Sequence, residues 1–269
     1  MTKKFLTSIA AFSIATAAPA IAADMLLKAP PPAPVYSWTG LYVGGNLGYG
    51  WGTSDSTVNF LDPTGFVIAS QTNSFSLNGV IGGGQVGYNF QSQNWVWGVE
   101  ADIQASGQKG TGIFTCAAGV CSTSGLPVTE TLTQKLDWFG TARGRLGFTI
   151  NPNLLVYGTG GLAYGEIDTS GIVADPVAFS QNNLKTGWTA GGGIEDHIGG
   201  NWSVRLEYLF MDLGNVSSNG LVRAGILIPG VPHNCIAACP ANPLTTSFTS
   251  TGSGITDSVL RLGVNYKFN

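Results

Sequence analysis

Charge is scarce in this chain. Only 10% of its 269 residues are Asp, Glu, Lys or Arg, where a soluble domain averages ~25%. That leaves little with which to cover a water-facing surface. The balance is acidic, 12 basic against 15 acidic residues, which excludes a nucleic-acid partner, since that would need a basic face. Histidine is nearly absent. His197, by a predicted short turn, and His233, in a predicted long loop, are the whole supply, and neither lies where a membrane-facing hydrolase would need the histidine of a Ser-His-carboxylate triad. The run Gly82-Gly83-Gly84 lacks the Lys-Ser/Thr pair that follows in a phosphate-binding loop. Beyond the first 23 residues, no segment approaches the ~20 consecutive apolar residues of a spanning helix. Any membrane span must be made of strands.

The first 23 residues read as a secretory signal. Lys3 and Lys4 form a basic start, Phe5 to Ala18 an apolar stretch, and Ala20-Ile21-Ala22 a small-residue cleavage site. Cleavage is expected after Ala22 or Ala23. It removes two lysines and leaves ten basic residues against 15 acidic, a mature charge of −5. Residues 24–37 contain Pro30-Pro31-Pro32-Ala33-Pro34, which favours an extended polyproline conformation without sheet donors. This segment reads as a periplasmic linker, with a ligand for a proline-reading domain as the alternative. Residues 38–269 are then the barrel domain.

What the chain does have is glycine, 39 residues of it, interleaved with Trp, Tyr and Leu in a period of two. From Leu260 to Phe268 every even position is apolar and every odd one is polar, charged or glycine; Trp202 to Tyr208 repeats the pattern with the same parity. Period two means a strand with two unlike faces. Eight such strands are predicted, at 40–51, 76–90, 95–108, 132–150, 154–168, 183–197, 202–212 and 256–268. Short connectors (91–94, 151–153, 198–201) alternate with long ones (52–75, 109–131, 169–182, 213–255) without exception. Outer-membrane barrels sort their loops by side in this way, whereas a soluble barrel has no reason to. The predicted fold is therefore all-β: an eight-stranded antiparallel transmembrane barrel with short periplasmic turns and long extracellular loops. Aromatics agree. Trp95, Trp97, Trp202, Tyr88, Phe90, Phe148, Tyr266 and Phe268 fall near the short-turn ends, and Trp51, Trp138, Trp188 and Phe210 toward the long-loop ends, as two interfacial belts would.

Several segments carry a resemblance. They are Trp38-Thr39-Gly40-Leu41-Tyr42-Val43-Gly44-Gly45, Trp138-Phe139-Gly140-Thr141-Ala142-Arg143-Gly144-Arg145-Leu146-Gly147, Gly160-Gly161-Leu162-Ala163-Tyr164-Gly165, Gly187-Trp188-Thr189-Ala190-Gly191-Gly192-Gly193 and the terminal Val264-Asn265-Tyr266-Lys267-Phe268. In these the chain resembles the Omp25/Omp31 (RopB-like) porin-like outer-membrane proteins of alphaproteobacteria. The resemblance implies residence in the outer membrane of a Gram-negative bacterium, with membrane lipid and the barrel-assembly machinery as partners. Many barrels of this class end on an aromatic that the machinery reads; here Asn269 follows Phe268.

The inward parity collects the charge: Glu100, Asp102, Arg143, Arg145, Glu195, Arg205, Glu207, Arg261 and Lys267. An eight-stranded barrel has an interior only wide enough for side chains, and charges buried there must pair. Acids on the third strand beside arginines on the fourth, and Arg205/Glu207 beside Arg261, meet that demand. The set is either the barrel's core or a narrow polar conduit. The strand at 154–168 does not settle its facing, because Leu154, Val156, Leu162 and Tyr164 share parity with Glu166. Cysteines fall in two close pairs, Cys116/Cys121 and Cys235/Cys239, in predicted external loops of an exported chain, where disulfides persist. Two local staples are expected; a metal site on His233, Cys235 and Cys239 is the alternative and lacks a fourth ligand. The reading is a non-enzymatic structural or surface-interaction protein without cofactor or metal, whose loops meet an external partner. The alternative is a narrow porin-like channel for small solutes or ions.

Overall fold

Residues that alternate in polarity have two faces to bury, and a closed sheet buries both. The computed structural model describes residues 36–61, 67–117, 127–173, 177–214, 217–225 and 245–268. Within these, β1 (Gly40–Leu61), β2 (Val67–Ser92), β3 (Trp95–Cys116), β4 (Val128–Asn151), β5 (Leu154–Val173), β6 (Val177–Gly199), β7 (Trp202–Asp212), β8 (Ser217–Gly225) and β9 (Thr245–Lys267) form one antiparallel sheet. Consecutive strands pair in order, β9 pairs with β7, and β1 pairs with β9 to close the ring. β8 adds no further column. β7 occupies positions 256–266 of β9 and β8 occupies 245–251, so the two share one column. Between them Gly214 takes φ +69°, and Leu213 and Gly214 both bond to Ile255. Eight strands therefore run around the barrel.

The short connectors are tight. Gln93-Asn94, Pro152-Asn153 and Gly200-Asn201 each join two strands, with Gln93 at φ 55° and Gly200 at φ 57°, the left-handed backbone that two-residue hairpins require. At the opposite end the strands run well past their predicted limits. β1 and β2 stay paired out to Leu61 and Val67, β3 and β4 to Cys116 and Val128, and β5 and β6 to Val173 and Val177. Much of what reads as long loop is thus strand. Its outward positions include hydroxyl residues that meet across strands, Thr53 with Thr256, Thr57 with Thr72 and Thr111 with Thr133. Above the lipid both faces can be polar, so the hydropathy alternation stops while the ladder continues.

Within the membrane the outer face is apolar, with Leu47, Val80, Val99, Leu146, Leu162 and Leu262 among its exposed side chains. Aromatic pairs mark both rims. Trp95 meets Phe148, Phe90 stacks on Trp97, and Trp202 meets Tyr266 at the short-turn end. Trp51 meets Tyr208 and Trp188 meets Phe210 at the other. The facing of β5 is now fixed: Leu155, Tyr157, Ala163 and Ile167 are buried inside, while Val156 and Leu162 face out. Outward Glu166 accepts from Trp138 Nε1 at 2.6 Å and Asn182 Nδ2 at 3.0 Å at the upper rim.

Inside, the barrel is layered. Trp38, Val96, Leu155 and Tyr157 pack at the short-turn mouth, with Tyr36 against them. Ile81, Phe139, Ala163, Leu209, Met211 and Val259 belong to a second apolar cluster nearer the long-loop end. The charged residues lie between. Inward glycines make room for long side chains crossing the lumen. A Cβ on Gly44 would sit 2.2 Å from Asn265 Oδ1 and 2.4 Å from the Val264 carbonyl, and one on Gly50 would sit 2.0 Å from Gln108 Nε2. Across that bare backbone Gln108 reaches Asp257 Oδ1 at 2.8 Å.

Candidate functional site

Every inward position of the middle layer is supplied by strand alternation, so the site is a consequence of register. β3 contributes Glu100 and Asp102, β4 Arg143 and Arg145, β6 Glu195, β7 Arg205 and Glu207, and β9 Arg261, all buried. These are four arginines and four carboxylates, and they pair. Arg143 is the hub, bonding to Glu100, to Asp102 at 2.9 Å and to Glu207 at 3.2 Å. Arg261 holds Glu207 at 2.5 Å and Asp102 at 3.0 Å. Arg205 crosses the lumen to Glu100 at 2.5 Å. Arg145 pairs with Glu195 and lies over the Tyr157 ring, 3.8 Å from its centroid.

Neutral groups add hydrogen bonds to the carboxylates. Tyr42 Oη donates to Glu100 at 2.6 Å and Tyr157 Oη to Glu207 at 2.9 Å. Thr141 donates to Asp102 at 2.7 Å. Ser203 and Asn265 donate to Glu195 at 2.6 and 2.8 Å, and Gln85 backs Asn265 at 2.8 Å. A buried charge is tolerable only when paired and hydrogen-bonded in this way.

The structure places eight of the nine predicted charges together; Lys267 stands apart. It shares the inward parity, but it is the last residue of β9 and stands at the mouth of the barrel. Its ammonium donates to the Ser37 carbonyl at 2.5 Å and lies 4.6 Å from the Tyr36 ring centroid. The same tyrosine stacks on His197, with centroids 3.7 Å apart. Partners also differ from the nearest-strand expectation: Arg205 pairs with Glu100, and Arg145 reaches Glu195 on β6 past the intervening β5. Sequence reading missed Tyr42, Tyr157, Ser203 and Asn265. Ser203 shares inward parity with Arg205 and Glu207, and Asn265 with Arg261, which was the available signal; β1 and β5 place no charge in the layer that would have set the facing of Tyr42 and Tyr157. Cys116 ends β3 as a buried residue; Cys121, Cys235, Cys239 and His233 lie outside the described residues, as do the predicted signal and most of the linker.

Above the membrane, Glu130 on β4 is buried opposite Phe114, and neither of its carboxylate oxygens has a partner. Burial alone pushes its pKa from the ordinary 4.5 up to about 8. The folded state therefore holds this proton more tightly than the unfolded chain does. Stability is full below pH ~4.5 and declines as pH rises toward 8. Glu130→Gln should abolish that decline. It should gain on the order of 2–3 kcal/mol at pH 9 and nothing at pH 4, read from urea unfolding in micelles at a series of pH values. An equal gain at both pH values would show that ionisation is not the cause.

The comparisons agree with this architecture. The family described as "Outer membrane protein beta-barrel domain" matches residues 8–268. The 31 kDa outer-membrane immunogenic protein of Brucella melitensis is 39% identical over 223 residues, 80% of this chain and 88% of that one. The 25 kDa outer-membrane immunogenic protein of Brucella ovis is 32% identical over 84% of this chain and 97% of its own. Among solved structures, the outer membrane protein OprG from Pseudomonas aeruginosa covers 86% of this chain and 97% of its own at 12% identity, with a TM-score of 0.44. This chain is a member of the outer membrane protein beta-barrel family, an eight-stranded Omp25/Omp31 homologue of the Gram-negative outer membrane.

Proposed function

We propose that this protein is a structural and surface-interaction barrel of the outer membrane, non-catalytic and non-conducting. One observation carries the reading: the ion-paired layer lies between two apolar layers. Phe139, Leu209, Met211 and Val259 are fully buried on its long-loop side, and Trp38, Val96 and Leu155 are buried on the other. Permeating ions must exchange their hydration for polar groups or water along the whole path. In the upper layer the buried polar groups, Gln104 beside Phe139 and the Gln108–Asp257 pair beside Met211, stand singly among apolar side chains, so an ion would have to give up hydration there without a continuous polar lining to replace it. The extended strands above the membrane then serve to hold loops clear of the lipid, where they can meet an external partner.

The test is electrical. Purified protein in planar bilayers should show no resolved conductance steps under gradients where a general porin does. Regular, ion-selective steps that vanish in a protein-free control would make the narrow-channel alternative the function. In the same reading residues 1–23 are removed on export and 24–37 form the periplasmic linker. The cysteines close as Cys116–Cys121 and Cys235–Cys239. Mass spectrometry without reductant should then find no free thiol and no cross-pair link. Removing either pair should leave the barrel folded, because such small rings contribute at most ~3 kcal/mol. Unfolding on loss of one pair would place that loop in the core.

A further inference from the structure

Two lysines face each other where electrostatics alone would not put them. Lys109 on β3 and Lys135 on β4 are direct cross-strand partners, and both side chains are exposed on the outer wall. Directly opposed side chains of this kind lie about 5 Å apart at Cβ, and like charges there are destabilising. Among the described residues neither is in an ion pair. Two acids lie close by without forming an ion pair with either lysine. Asp168 faces Lys135 from β5 but accepts from Ser180 on the far side at 3.1 Å. Asp137 is exposed at the register shift between Leu136 and Trp138.

Height gives the pair its meaning. Lys135 lies three residues before Trp138, which marks the outer-leaflet rim, and the lipid-facing side chain Ile103 lies below Lys109 on the same strand. Immediately above, Thr111 and Thr133 meet at 3.4 Å, and Asn78 flanks Lys109 from β2. Two adjacent ammonium groups, bordered by hydroxyls above and an amide on the β2 side, with Asp168 only on the β5 side, and set just above an apolar wall, match a phosphate on a sugar whose acyl chains enter the bilayer. We propose that Lys109 and Lys135 form a binding site for a phosphorylated glycolipid of the outer leaflet. The phosphate bridges the two ammonium groups, and the sugar hydroxyls meet the threonine ladder.

Native mass spectrometry of the full-length protein in detergent, titrated with diphosphoryl lipid A, tests this. Lys109→Gln/Lys135→Gln should weaken binding about tenfold or more. Dephosphorylated lipid should bind the wild type no better than the phosphorylated lipid binds the variant. Unchanged lipid A affinity in a variant that keeps its compact electrophoretic form would overturn the proposal. So would full displacement of lipid A by millimolar inorganic phosphate, which would make this a simple anion site. Asp137→Asn should leave the phosphate preference intact; loss of that preference would place the recognition on the acid instead.

Discussion

Arg143→Ala should destabilise the barrel by ~3–5 kcal/mol or more, the loss typical of breaking a buried pair. Three carboxylates, Glu100, Asp102 and Glu207, each lose an ion partner at once, and in the non-conducting reading proposed above no water enters to replace it. The temperature at which the compact electrophoretic form disappears should fall accordingly. Arg145→Ala should cost less. It breaks one ion pair where Arg143→Ala breaks three, and Glu195 keeps hydrogen bonds from Ser203 and Asn265. If the layer instead lined a wetted conduit, both variants would be nearly neutral in stability. The wild type would conduct, and removal of a positive charge would shift selectivity toward cations. Near-neutral stability for Arg143→Ala would thus reverse the functional reading.

The charge layer was legible because parity is a strong signal where the two faces differ most. Between Trp202 and Tyr208, and between Leu260 and Phe268, lipid demands apolar side chains outside while the interior holds Arg205, Glu207 and Arg261. β5 was not legible for a physical reason. Its inward side chains Leu155, Tyr157, Ala163 and Ile167 belong to the apolar layers above and below the charges, so both faces are apolar and period two loses its contrast. Upper strand ends were missed for the converse reason: at Thr53, Thr57, Thr111 and Thr133 polar residues face outward into water. Lys267 failed because parity says which face a residue takes and not how high it stands. Cross-lumen pairing such as Arg205 with Glu100 depends on strand tilt and on bare glycine backbone opposite each long side chain, neither of which a linear pattern records.

Phe139→Ala is the second large effect expected. The ring is fully buried in the apolar layer above the charges, flanked in register by Gln104 and Gly165. Truncating such a side chain removes its burial and leaves a cavity that rigid strands cannot fill, a loss of ~3–5 kcal/mol. Conductance, however, should stay at baseline. Directly below, Arg143, Arg261 and their carboxylates still close the lumen, just as the apolar layer still closes it in Arg143→Ala. The two closures lie in series, so neither single variant opens a path, and the loss of stability is separated from any gain of transport. A Phe139→Ala barrel that conducts would show that the apolar layer alone held the channel shut. The ion-paired layer would then be permeable, and the protein would be a gated pore whose resting state is closed.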